Sequence, residues 1–183
     1  MAKDDNTKQF TYSDELKYPR DIVYPVFRNE SIRLADYLPN IALIEEIERH
    51  EHEEGVSFIL KWHARAKLPG PAAKLIPENA MTWVDKATYF DATHSVNYEL
   101  TFPMLGEAVR VHGTNRFEAV GDKTRVTVSG TIEADINKIP FAPKMVLKRV
   151  VPLVQDFAAK QTEPNLIEMN RGIEKYLEES GRV

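Results

Sequence analysis

Apolar and polar residues alternate through most of this chain, and only its C-terminal stretch changes period. From residue 56, Val56, Phe58, Leu60, Trp62, Ala64, Ala66 and Leu68 share one parity. Ser57, Lys61, His63, Arg65 and Lys67 share the other, with Ile59 the apolar exception. That pattern predicts an antiparallel strand with one dry face and one wet, basic face. The alternation returns at 81–91 with Met81, Trp83, Ala87 and Tyr89 on one side and Asp85 on the same parity. Three further alternating segments follow. Val96, Tyr98, Leu100 and Phe102 have His94 in phase. Val109, Val111, Gly113, Asn115, Phe117 and Ala119 come next, then Val126, Val128, Gly130, Ile132, Ala134 and Ile136. Asp91-Ala-Thr, 103–106 and Gly121-Asp122 supply the turns. The small inward side chains of the last segment leave room for a helix or a ligand.

Residues 9–18 read as a first strand, with Phe10, Tyr12 and Leu16 inward and Asp14 breaking the apolar parity. Residues 19–27 read as a short helix begun by Pro19. A second short helix is expected at 31–38, with Ser31 as N-cap and Pro39 ending it. Residues 41–51 read as a strand whose Leu43, Ile44 and Ile47 do not alternate cleanly. From 141 to 177 the period becomes helical, through Val146, Val150, Leu153, Val154 and Phe157, then Leu166, Met169, Ile173, Tyr176 and Leu177. Pro152 and the run Thr162-Glu-Pro-Asn165 predict a bent or divided helix, with Thr162 capping its second part. The expected fold is α+β. About seven strands form one curved antiparallel sheet, dry on its concave side and wrapped around the long C-terminal helix, with two short helices after the first strand. Residues 1–8 read as a flexible N-terminus and 9–183 as a single domain. The loop 69–77, bounded by Pro69 and Pro77 yet holding Leu75 and Ile76, reads as a plug or lid over the core.

This order of elements resembles the helix-grip fold of the START-like (SRPBCC) superfamily. A narrower similarity, to the PRELI-type lipid-transfer branch, lies in Trp62, Leu68-Pro69, Ala73-Lys-Leu-Ile, Trp83-Val84-Asp85 and Tyr89-Phe90-Asp91. The resemblance implies a hydrophobic cavity between sheet and helix, with no metal and no cofactor, and 69–77 as the lid. The superfamily also holds polyketide cyclases, so an enzyme and a fully packed interaction module stay open beside a lipid or isoprenoid carrier.

Composition narrows these classes. The chain has 183 residues, 43% apolar and 28% charged, which suits a soluble domain with a real core. With no cysteine, thiol catalysis, disulfides and cysteine-bound zinc are excluded, and a cytoplasmic location fits. A net charge of −4, with both signs interspersed, argues against nucleic acid as the partner. No P-loop, dinucleotide motif or nucleophile elbow is present. His50 and His52 have a spacing that could ligate a metal, but no third ligand is evident, and a solvated hairpin end is expected instead.

The candidate ligand-binding set is therefore the inner face: Phe58, Leu60, Trp62, Trp83, Asp85, Tyr89, His94, Tyr98, Leu100, Val111, Asn115 and Val128. From the helix it includes Val146, Val150, Val154 and Phe157. An apolar pocket with a few inward polar groups suits a hydrophobic small molecule or lipid. A catalytic version would use His94 with Asp85 or Asp91 as general acid and base. Lys144, Lys148 and Arg149 at the helix start suggest transient contact with a membrane surface.

Overall fold

A computed structural model describes residues 7–65, 82–103, 105–138 and 143–183. The expectations at Ala66, Leu68, Met81 and the 69–77 loop lie outside these residues. The elements are β1 (Thr7–Leu16), α1 (Arg20–Asn29), α2 (Ser31–Leu34) leading into a 3-10 turn, β2 (Ile41–His52) and β3 (Gly55–Ala64). They continue with β4 (Thr82–Phe90), β5 (Ser95–Phe102), β6 (Gly106–Val120), β7 (Lys123–Ala134) and the helix α3 (Lys144–Glu179). The strands form a seven-stranded sheet in the order β1-β7-β6-β5-β4-β3-β2. Every neighbouring pair is antiparallel. This is the expected α+β helix-grip arrangement.

The inner parities of β3 to β7 hold through mid-strand, because antiparallel pairing keeps cross-strand partners on one face; at the ends Ala108 rather than Val109 is buried, Ala119 is exposed, and Ile136 follows β7 in a 3-10 turn. β2 explains its own irregular pattern. Its register with β3 shifts between Ile41 and Leu43 and again between Glu46 and Glu48. Each extra residue flips the parity, so Ile44 is buried while Leu43 and Ile47 are 47% and 55% exposed. Ser31 does not cap α2. Its hydroxyl donates back to the Phe27 carbonyl at 3.2 Å, and Glu30 takes the cap position.

The helix α3 departs most from expectation. It runs unbroken through Pro152 and Pro164. Thr162 caps nothing; its hydroxyl donates to the Ala158 carbonyl one turn back, at 3.2 Å. In the second half the expected stripe is the buried one: Leu166, Ile173, Tyr176 and Leu177 are all buried. In the first half the buried residues are Val151, Gln155 and Ala159, whereas Val146 and Leu153 are 40% and 66% exposed. At 3.6 residues per turn, Val146 lies about 140° round the helix from Val151. The expected lining role of Val146 is therefore corrected, because the small residues Val151 and Ala159 take the face toward the sheet.

Polar contacts fix α3 on β1. Asn170 Nδ2 donates to Asp14 Oδ2 at 2.9 Å, and Arg171 donates to the same oxygen at 3.2 Å. Glu174 accepts from the Lys17 backbone N–H at 2.8 Å and from Arg171 at 2.7 Å. The out-of-phase Asp14 is thus a structural clamp. Beneath it, Val23, Leu34, Ile173 and Leu177 pack with Val56, Phe58, Leu60, Tyr89 and Phe117 in one core cluster. A separate cluster joins Ala159 to Phe10, Val111 and Ile132.

Candidate ligand site on the concave face

Asp85 stands in mid-sheet. On β4 it pairs with Leu60 of β3 and Leu100 of β5. The row continues through Val111 and Ile132. A carboxylate in an apolar row is poorly solvated, and burial pushes the Asp85 carboxyl up to about 7. Among the described residues its Oδ1 is buried with no hydrogen-bond partner. The phenols of Tyr89 and Tyr98 are also raised, first by burial and then by the Asp85 charge.

Two aromatic side chains lie beside it. Trp62 and Trp83 are cross-strand partners whose rings stack, with centroids 5.7 Å apart and planes 11° from parallel. Among the described residues the Trp62 Nε1 and the Asn115 Oδ1 on β6 are also buried without a partner. Each such group costs about 1–3 kcal/mol when left unpaired, so three on one concave face mark it as unfinished.

Tyr98 is finished. Its hydroxyl donates to the Ser129 carbonyl at 3.1 Å. Its ring crosses the β6–β7 pair above Gly113 and Gly130, which face each other in register. A Cβ on either would come within 2.7 Å or 2.6 Å of the Tyr98 oxygen. The small residues therefore accommodate a tyrosine of the sheet itself. Sequence reading noted the small inward positions without finding their occupant; the paired in-phase glycines were the signal.

The other expected site residues fall into three groups. Phe58, Leu60, Tyr89 and Val111 are buried floor, and the Tyr89 hydroxyl is taken by the Phe27 carbonyl at 3.0 Å. Trp62, Trp83, Asp85, Tyr98, Leu100, Asn115 and Val128 keep part of their surface accessible despite facing inward. The side chains of Val150, Val154 and Phe157 lie outside the described residues.

His94 and Asp91 are elsewhere. His94 sits in the β4–β5 turn with φ of 47°. Its ring meets Tyr24 edge-on at 5.1 Å. Asp91 accepts from Tyr24 Oη at 3.0 Å and from Arg28 Nε at 2.9 Å, tying α1 to the turn. Leu100, the partner of Asp85, is six residues beyond His94. At ~3.3 Å per residue that is about 20 Å, so His94 and Asp85 do not meet.

The convex face offers two open grooves, of about 480 Å³ beside Arg49, Ser57 and Lys86, and about 470 Å³ beside Asn97, Glu99 and His112. Their polar groups already serve one another: Ser57 with Thr88, Thr114 with Asn97, His112 with Glu133. The concave face, with its unmatched atoms, is the better candidate. Of the two spaced histidines, His50 is exposed and His52 meets Ser57 at 3.3 Å. Among the described residues no three His, Asp or Glu side chains converge as a metal site.

A family model described as "Protein of unknown function (DUF2505)" matches residues 11–164. The chain belongs to the DUF2505 family. No curated protein matches it. Solved structures share the fold of this DUF2505 chain. TTHA0849 from Thermus thermophilus is 19% identical with a TM-score of 0.63, over 91% of this chain and 97% of that one. The Zhui aromatase/cyclase from Streptomyces sp. R1128 is 13% identical with a TM-score of 0.63, over 94% of each chain. A norcoclaurine synthase mutant from Thalictrum flavum, in complex with a transition-state analogue, is 18% identical with a TM-score of 0.60, over 96% of each. At these identities the likeness establishes the helix-grip fold alone. No described helix of the DUF2505 chain is long and apolar enough to cross a membrane.

Proposed function

We propose that this protein binds an apolar small molecule against the concave face of its sheet, under α3. The observation that carries this is the Asp85 Oδ1, buried and without a hydrogen-bond partner among the described residues, beside inward aromatic and aliphatic side chains that keep accessible surface. A filled core would bury those side chains and pair that oxygen. A lipid or isoprenoid is the ligand class, in keeping with the resemblance to PRELI-type proteins, and the absence of cysteine suits a cytoplasmic carrier. Binding would draw on burial of apolar area, at about 25 cal/mol per Å².

A second reading is an enzyme, and one observation favours it. A carboxyl raised to about 7 is placed to give or take a proton at neutral pH. In that reading Asp85 acts without His94. Native mass spectrometry of the purified protein, followed by organic extraction, tests the binding function. A solvent-extractable adduct is expected; no adduct, and no uptake from a broad panel of apolar compounds, would overturn it.

A further inference from the structure

We propose that the ligand of the concave face carries a hydroxyl group, held between the Asp85 carboxyl and the Trp62 indole. This rests on the proposed ligand-binding function. Asp85 and Trp62 share the concave face on adjacent strands. Trp62 is directly opposite Trp83, and Asp85 follows Trp83 by two positions. They are therefore diagonal neighbours, a separation that an aromatic side chain such as Trp62 can span. Their unmatched atoms are of opposite kind. The indole Nε1–H can only donate, and once the carboxyl has ionised, above about pH 7, the Asp85 Oδ1 can only accept.

That pairing selects among functional groups. An ammonium donates to Asp85 but offers the indole no acceptor. A carboxylate accepts from the indole but repels an ionised Asp85. An ether accepts from the indole and leaves the carboxylate unmatched. A hydroxyl donates to Asp85 and accepts from Trp62 through one oxygen. The stacked Trp62 and Trp83 rings, with Leu60 and Leu100 flanking Asp85, supply an apolar wall for the carbon frame.

The test is calorimetric titration of the full chain at about pH 8.5, where Asp85 is ionised and the amine still charged, with four compounds on one frame: decalin, 2-decalol, 2-methoxydecalin and 2-aminodecalin. 2-Decalol is expected to bind about tenfold or more tighter than the ether, as sites built around a hydroxyl reject the analogue lacking it. Asp85→Leu should abolish the preference while still binding decalin, and Trp62→Phe should reduce it. Decalin binding with alcohol and ether equal, or with the amine tightest, would overturn the hydroxyl assignment and leave the binding function standing. If none of the four binds, the hydroxyl assignment falls on this frame, and the native mass-spectrometric test decides the binding function separately.

Discussion

Between about pH 4 and pH 7 the folded chain keeps a proton on Asp85 that the unfolded chain has already released, because burial raises this carboxyl from 3.8 to about 7. The folded state binds more protons across that window, so Asp85 makes stability fall as pH rises, levelling above about pH 7. The full effect is on the order of 4 kcal/mol. Asp85→Asn, uncharged throughout, should remove most of this slope. Urea unfolding at several pH values checks it; parallel profiles for the two proteins would count against a buried, unpaired carboxyl. Parity alone placed Asp85 with the aromatics Trp83 and Tyr89, so this residue was legible in the sequence. His94 was in phase too, yet it lies in a turn with positive φ. Phase is informative only within a strand, and residues 91–94, between β4 and β5, are not in one.

At the scale of elements, strands were easier to read than the helix, and the reason is geometric. A strand has two faces, so alternation leaves a binary choice. The helix α3 has apolar residues on several sides of its first half, among them Met145, Val146, Val151 and Leu153. Which side turns inward is decided by the sheet, where Ala108 and Ala134 leave room for Val151. The bulges of β2 were hidden because an inserted residue leaves no mark beyond a broken alternation. The prolines of α3 carry their own consequence. Pro152 and Pro164 lie inside a continuous helix, where each forfeits a backbone hydrogen bond. Pro152→Ala and Pro164→Ala should each raise unfolding free energy by roughly 1–3 kcal/mol, with unchanged far-ultraviolet circular dichroism. A gain in helical signal would instead mean that the prolines end the helix.

For the whole molecule, the outer side of the α3 N-terminal half is basic and apolar together. Met145 and Leu153 are 77% and 66% exposed. Lys144, Lys148 and Arg149 are exposed beside them, with no acid before Asp156. We propose that this face meets the surface of an anionic bilayer. The chain should co-sediment with phosphatidylglycerol-containing vesicles, release at high salt, and bind several-fold more weakly as Lys148→Glu/Arg149→Glu. Equal recovery with neutral vesicles would remove the electrostatic part of this expectation. The overall order of elements was legible because each segment needed a partner surface that only one arrangement supplied.

The stacked indoles have an optical consequence. Trp62 and Trp83 are the two tryptophans of the chain, and both belong to the concave face. All indole emission from this molecule therefore originates beside Asp85. A shift in its colour or intensity would report on events at that one place, with no background from elsewhere in the protein and no dye attached.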